Sequence, residues 1–588
     1  MCGIAGLMSS DSSPPSQAAL DAMLRSIAHR GPDGEGRYAR GNVLLGQKRL
    51  AIIDLATGNQ PLFGPGGTAI VVNGEIYNYI ELKQDGQGYD FRTYSDCELP
   101  LYTYAHEHGN FAKHLRGMYG IALDDPCVPE LYLSRDPFGI KPLYYTEGTF
   151  GLAFASEAQA LIRAGLVAPK ILREKANELL QLQFTTGAQT IFNGIKRVLP
   201  GETLGVRNGR VHTRIRKAAL PTGPSIERDD AHALRALEAV LLDSVMVHQR
   251  SDVPYGMFLS GGVDSSALLA CMMRLNERPV RTFTAGFPET GVHDERAQAR
   301  AVAKAAGAEH IEIEVTAEDF WRELPAIATA IDDPAADYAI IPTYMLAKTA
   351  RRAVKVVLSG EGGDELFGGY GRYRSATRTW FMGGRRMRRK GILDGLGVLR
   401  DPDFRWRDGI AIAEAEAAEP GRTKLQVAQA TDCADWLPHD LLLKLDRCLM
   451  AHGLEGRTPF LDPVVGNFAF CLPDRLKVHR GLGKYLLRKW LAGILPEAMP
   501  FERKRGFTVP VAEWIAARAG QLAPLVARSP GVAQLCYPDA VERLFKSVGQ
   551  SQRGGIACWQ LLFYALWHRM HIEGARRGLP LIETLEAA

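Results

Sequence analysis

The chain has 588 residues, 46% of them hydrophobic and 23% charged, with a formal net charge of +4 at pH 7. That length exceeds what one hydrophobic core supports, so two or more domains are expected, and the composition is that of a soluble globular protein. No apolar run approaches the ~18 residues of a membrane span, and the first residues lack the basic stretch and apolar core of a secretory signal, so a cytoplasmic protein with no membrane partner is expected.

The chain opens Met1-Cys2-Gly3-Ile4-Ala5-Gly6. Removal of Met1 would put a thiol and a free α-amine on one residue. With ordinary pKa values of about 8.5 and about 8, the amine can take the thiol proton, directly or through water, and make a nucleophile without a histidine. A cysteine in second place proves nothing alone. Four segments then follow in order: His29-Arg30-Gly31-Pro32-Asp33, Gln47 to Asp54, Val72-Asn73-Gly74-Glu75-Ile76-Tyr77-Asn78, and Ser95-Asp96-Cys97-Glu98.

Together these segments resemble the glutaminase domain of the class II, N-terminal-nucleophile amidotransferases. The resemblance implies a catalytic set of Cys2, Asn73 and Gly74, and glutamine binding by Arg49, Leu50, Ile53, Asn73, Gly74, Glu75 and Asp96. The residue types allow it: a guanidinium fork suits the α-carboxylate, an acid suits the α-ammonium, and the Asn73 amide with the Gly74 N–H would meet the tetrahedral oxyanion. Asn-Gly is also a strong hairpin signal, so a turn at 73–74 is an open alternative. Cys97 reads as packing. The nine cysteines (2, 97, 127, 271, 433, 448, 471, 536 and 558) lack Cys-x-x-Cys spacing, which argues against a zinc site or a disulfide framework.

Residues 1 to about 200 read as β-rich, with strands at Ala69 to Val72, Leu131 to Ser134 and Leu143 to Tyr145 between Gly, Pro and Asp clusters. Arg135 to Tyr145 and Phe154-Ala155-Ser156-Glu157 continue the class II resemblance, and Pro200-Gly201-Glu202 looks like its closing hairpin. Leu220 to Ser225 is linker-like in composition. The expected division is a glutaminase domain over 1–205, a linker over 206–228 and a second domain over 229–588. The first domain should be an α+β sandwich of stacked antiparallel sheets between helices.

The second half changes period. Leu234, Leu237, Val240, Leu241 and Val245 give Ala231 to Val247 a helical spacing, and Val253 to Leu259 reads as a buried strand running into Ser260-Gly261-Gly262-Val263-Asp264-Ser265-Ser266. A strand that ends in glycines and opens a helix presents N–H groups and hydroxyls to one point, an anion site. Arg281 to Phe287 precedes a helix from Asp294 to Ala306 with Gly307 as its cap, and Ala353 to Leu358 leads into Ser359-Gly360-Glu361-Gly362-Gly363-Asp364-Glu365. These pieces predict an α/β domain with an open parallel sheet, its ligand outside the carboxyl ends of the strands, followed by a helical C-terminal part.

The loop at 260–266 resembles the pyrophosphate loop of ATP pyrophosphatases, and the whole chain resembles the glutamine-hydrolysing asparagine synthetases. That resemblance implies ATP and Mg²⁺ as cofactors, with ATP bound by Leu259, Ser260, Gly261, Gly262, Asp264, Ser265, Ser266, Ala285, Ser359 and Gly360. It implies Asp264 and Asp364 as metal carboxylates, Glu361 as the residue that handles an acyl-adenylate, and Lys484 as the cation that stabilises the departing pyrophosphate. Glutamine, aspartate and ATP are the implied small-molecule partners, and homodimerisation is common in such proteins.

The acceptor is less well specified. Asp332 to Thr343 resembles a family segment near it, and a sugar acid, peptide or natural-product carboxylate is the alternative to aspartate. A non-catalytic sensing protein would show gaps among Cys2, Arg49, Asn73, Asp96, Asp264, Glu361 and Lys484; there are none. Gly371 to Lys390 carries eight basic residues and no acid, which reads as a solvated face or mobile loop; an anionic acceptor is the second reading, and nucleic acid is the weakest because no aromatic platform interleaves the arginines.

Overall fold

The computed structural model describes every residue except 1, 12, 87, 379–380, 382–383, 385, 503–507 and 587–588. Its first third is built on twelve strands: β1 (Gly3–Met8), β2 (Gly34–Arg40), β3 (Val43–Arg49), β4 (Leu62–Phe63), β5 (Ala69–Ile76), β6 (Gly117–Asp125), β7 (Glu130–Arg135), β8 (Tyr144–Gly148), β9 (Gly151–Ala155), β10 (Lys196–Arg197), β11 (Glu202–Arg207) and β12 (Arg210–Arg216). They form two six-stranded antiparallel sheets, ordered β10-β8-β9-β1-β3-β2 and β12-β11-β7-β6-β5-β4.

Period-two alternation sets what each sheet buries. Ile4, Leu45 and Phe154 of the first sheet meet Val71, Ala122 and Leu133 of the second in one apolar layer. The alternate residues face outward: Ala5, Leu7 and Leu44 pack under helix α1 (Gln17–Ser26) through Leu20, Met23 and Leu24, and Ile70 and Val72 pack under α2 (Leu99–Glu107). The result is the expected helix–sheet–sheet–helix sandwich. The hairpin β11–β12 carries the second sheet on to Arg216, so the first unit's strands run into the 206–228 span expected as the linker and stop short of the linker-like stretch from Leu220.

The second unit holds a parallel sheet of β13 (Tyr255–Phe258), β14 (Arg281–Gly286), β15 (Glu309–Glu314), β16 (Val356–Leu358) and β17 (Glu455–Arg457), ordered β15-β14-β13-β16-β17. Helix α3 (Asp230–His248) matches its periodicity, and its first turn is capped by the Asp229 side chain accepting from His232 N. Helix α4 (Val263–Leu275) follows the Ser-Gly-Gly turn. The helix expected from Asp294 starts two residues later as α5 (Arg296–Ala305), because the Asp294 carboxylate accepts from Arg296 N at 2.9 Å in a local turn. Three C-terminal helices matter for the site: α6 (Leu442–Met450), α7 (Tyr485–Ala492) and α8 (Gln552–His571).

The units share a core. One apolar cluster contains Leu179 and Leu180 of the first unit together with Phe283, Trp559 and Trp567 of the second. All nine cysteines are free, and among the described residues no helix is long and apolar enough to cross a membrane.

Candidate active sites

Cys2 opens the central strand of the first sheet and is 6% exposed. Its N–H donates to Asn73 Oδ1 at 3.2 Å, and Asn73 Nδ2 faces Ser156 Oγ at 3.5 Å. Burial pushes the thiol up, while a hydrogen bond from the Leu50 N–H and the nearby Arg49 guanidinium work the other way. Met1 lies outside the described residues.

Asn73 and Gly74 lie inside β5, paired with Gly120 and Tyr119 of β6, so the hairpin turn is overturned. The glycine has a packing cause: a Cβ at position 74 would stand 2.0 Å from Met118 O of the neighbouring strand. Arg49 at the end of β3 is 7% exposed. Its guanidinium is held by Asn59 Oδ1 at 2.6 Å and by the Asp54 carbonyl, and among the described residues no carboxylate pairs with it, which leaves its charge for a bound acid. Ile53 lies in the same loop, its carbonyl 3.5 Å from Arg49 Nη2. Asp96, 2% exposed, accepts from Ile76 N at 2.7 Å; burial raises its pKa. Cys97 is buried in the apolar cluster beneath, as its packing role required.

The surroundings of Cys2 reach into the second unit. Buried Glu75 approaches Arg457 of β17 at 3.4 Å, and Arg457 pairs with Glu455 at 2.5 Å. Burial, then Glu455 and Asp96, hold the Glu75 pKa well above the usual carboxylate range. Arg30, fully buried, donates from Nε to the Cys2 carbonyl at 3.2 Å and from both terminal nitrogens to Asp446 of α6 at 2.8 and 3.0 Å. The loop from Ala51 to Asp54 is tied across as well: Asp54 N donates to Asp252 at 2.7 Å, and Asp252 N donates to Ile52 O at 3.0 Å.

On the other side of β17 the carboxyl ends of β13, β14 and β16 open onto a cleft of about 710 Å³. Leu259, Ser260, Gly261, Gly262, Asp264, Ser265, Ala285, Ser359, Gly360, Glu361, Asp364 and Lys484 all line it. Ser266 does not; it is fully buried on the inner face of α4. Lys484 Nζ bridges the Asp264 and Asp364 carboxylates, the latter at 2.7 Å. Burial works against its charge, and the two acids outweigh burial and raise its pKa. The glycines make this cluster possible: a Cβ on Gly363 would lie 2.6 Å from Asp264 Cγ, and one on Gly369 would lie 1.9 Å from Asp364 Oδ1. Lys484 itself holds a left-handed backbone (φ 58°) at 2% exposure, strain of the kind stored at functional sites.

A second lysine, absent from the sequence-derived set, faces the first across the cleft. Lys444 of α6 lies 3.0 Å from Asp337 and 3.7 Å from Glu361. Glu361 is thus shared between the two clusters, and its pKa is raised by burial, with Asp337, Asp364 and Asp264 adding to the rise against Lys444. The signal was present: a lysine in the run Leu441 to Leu445 is a charge on an otherwise apolar stretch, which buried structure tolerates only when paired.

The basic run is not wholly a solvated face. Arg372 stacks 3.7 Å over the Tyr370 ring and pairs with Asp432 at 2.7 Å, and Arg388 stacks 4.0 Å over Trp436. Tyr370 and Trp436 both line the cleft. Tyr370 and Trp436 lie outside the run, but Tyr373 lies within it, its ring 5.4 Å from Arg372, which corrects the expectation that no aromatic residue interleaves the arginines. Arg374, Arg378, Arg386, Arg389 and Lys390 are exposed or half-buried, and Arg385 lies outside the described residues.

Comparison with known proteins divides the chain the same way. The family described as "Asparagine synthase" matches residues 236–569, and the "Glutamine amidotransferase domain" matches residues 1–216. The chain is 34% identical to a protein named asparagine synthetase [glutamine-hydrolyzing] 1 from Bacillus subtilis, covering 99% of this chain and 98% of that one. It is 34% identical to a putative asparagine synthetase [glutamine-hydrolyzing] of Mycobacterium tuberculosis over 97% and 98%, and 29% identical to Escherichia coli asparagine synthetase B over 86% and 82%.

Proposed function

The chain belongs to the glutamine-hydrolysing asparagine synthetase family and is a glutamine-dependent carbon–nitrogen ligase, and from that premise we propose that it amidates L-aspartate to L-asparagine in two coupled sites. With Met1 removed, the Cys2 amine takes the thiol proton and the sulfur attacks the glutamine amide carbon. The developing oxyanion is met by Asn73 Nδ2 and the Gly74 N–H; among the described residues Nδ2 has only the long contact to Ser156. Arg49 holds the α-carboxylate and Asp96 the α-ammonium. Collapse of the tetrahedral adduct forms a glutamyl thioester and releases ammonia, and water then frees glutamate.

Ammonia must travel uncharged, because in neutral bulk water it protonates and loses its nucleophilic pair. The buried Glu75–Arg457 contact and strand β17, whose Arg457 carbonyl accepts from Ser359 N at 2.8 Å, support an internal route from the first site to the second. In the cleft, ATP lies with its phosphates over the Ser260 to Ser265 turn and the N-terminus of α4. The aspartate β-carboxylate attacks the α-phosphorus, pyrophosphate departs against Lys484, and ammonia then displaces AMP from β-aspartyl-AMP beside Glu361. Asp264 and Asp364 fit a magnesium ion, since that ion takes one or two carboxylates and completes its shell with phosphate and water; bound there, it would neutralise charge on the leaving phosphates.

The carrying observation is the back-to-back placement of a buried terminal-cysteine site and a two-lysine carboxylate cleft, joined by charged pairs that cross the units. The test is release of pyrophosphate as aspartate is varied in the presence of glutamine and ATP. Saturable release supports the reading. No release with aspartate, together with release on another acid, would move the protein to the alternative acceptor class.

A further inference from the structure

Lys444 and Asp337 form an ion pair on the wall of the cleft, with side chains only 6% and 14% exposed. The pair is over-supplied with negative charge. Glu361 stands 3.7 Å from the same ammonium, and Asp440, one turn earlier on the helical segment that leads into α6, is fully buried, with neither carboxyl oxygen hydrogen-bonded among the described residues. Lys444 thus feels three carboxyl groups, Asp337, Glu361 and Asp440, while the Arg388 guanidinium also acts on Asp440, so three acids face two cations in a low-dielectric site. Asp337 is oriented toward the cleft by the Ala339 N–H, which donates to its other oxygen at 3.0 Å.

We propose that Lys444 and Asp337 are the specificity-determining pair for the acceptor, separating in the complex to bind the two ends of an α-amino-acid head group: its carboxylate on Lys444 and its ammonium on Asp337. One internal ion pair is exchanged for two intermolecular ones, so no buried charge is left uncompensated. The surplus acid is the seat that the incoming ammonium needs, and the bound carboxylate takes over as the counter-ion of Lys444 while Asp337 turns to the ligand. Glu361, shared with the phosphate-side cluster, is left facing the acceptor's distal carboxylate. Plain dicarboxylic acids and sugar acids lack the ammonium and would leave Asp337 unmatched.

This inference rests on the synthetase reading, and one experiment separates their failures. Pyrophosphate release is measured with ammonium chloride as nitrogen donor for aspartate, for succinate, which lacks the amine, and for 3-aminopropanoate, which lacks the α-carboxylate. The wild type should prefer aspartate to each analogue by about 10²-fold or more in kcat/KM. Lys444→Met should erase the preference over 3-aminopropanoate, Asp337→Asn the preference over succinate, and Lys444→Arg should retain both. Glutamine hydrolysis by each variant, within about twofold of wild type, reports that the chain is folded.

Equal use of all three acids by the wild type overturns the proposal even if every variant misfolds, and so do unchanged preference ratios in folded variants. If an acid other than aspartate is the substrate, the aspartate reading fails alone, and the same ratios are taken with that acid and its deaminated and decarboxylated analogues.

Discussion

Replacing Arg30 with methionine should loosen the joint between the two sites. The guanidinium is fully buried and holds Asp446 through two hydrogen bonds of 2.8 and 3.0 Å, Glu157 at 3.1 Å and the Cys2 carbonyl at 3.2 Å. Removing one partner of a buried ion pair costs about 3–5 kcal/mol, because the other charge is stranded. The lower end applies here, since Asp446 keeps Arg447 at 2.9 Å and Glu157 keeps His29 at 2.9 Å. A loss of about 3 kcal/mol is roughly a hundredfold in an equilibrium constant, readable as a lowered midpoint of urea unfolding.

The same change frees the Cys2 carbonyl, so glutamine hydrolysis should fall about tenfold or more, the cost of a misplaced nucleophile, while synthesis from added ammonium is spared. Arg30→Lys should recover part of the stability but little of the glutamine turnover, since lysine cannot make the two-pronged contact. An Arg30→Met protein with wild-type midpoint and wild-type glutamine turnover would refute the argument.

Asp264→Asn should stop ATP cleavage and leave glutamine hydrolysis intact, checked by pyrophosphate and glutamate release on the same sample. Gly74→Ala drives a Cβ to 2.0 Å from Met118 O, so it should destabilise the first unit by about 1–3 kcal/mol and abolish glutaminase turnover, measured by thermal unfolding and glutamate release. Buried His248 and His439 and half-buried His452 are held neutral, their pKa values pushed down to about 3, about 4 and about 4 chiefly by desolvation. The unfolded chain binds their protons first, so the stability these three histidines contribute is full above pH about 6.5 and lost as pH drops toward 4; replacing all three with glutamine should flatten that part of the midpoint-against-pH curve, and an unchanged slope contradicts this.

What could be read in advance was whatever lies close in sequence. The run from Val72 to Asn78 and the turn from Ser260 to Ser265 are contiguous in sequence, and the structure brings the first beside Cys2 and the second to the cleft. The joints did not announce themselves: Glu75 meets Arg457, Arg30 meets Asp446, and Lys444 meets Asp337 only after the units pack. Strand β17 escaped notice because Glu455-Gly456-Arg457 has no apolar periodicity; its charges are buried and satisfied largely by one another and by Glu75. The basic run misled for the opposite reason, since its composition is that of a surface while Arg372 and Arg388 are recruited inward by Asp432, Tyr370 and Trp436.

The most direct test of two sites joined in one chain is the Cys2→Ala protein, assayed for aspartate- and ATP-dependent asparagine formation with glutamine and, separately, with ammonium chloride. The account predicts that the glutamine-driven reaction disappears and the ammonium-driven one persists near the wild-type rate. Loss of both reactions in a folded protein, or survival of the glutamine-driven one, would contradict it.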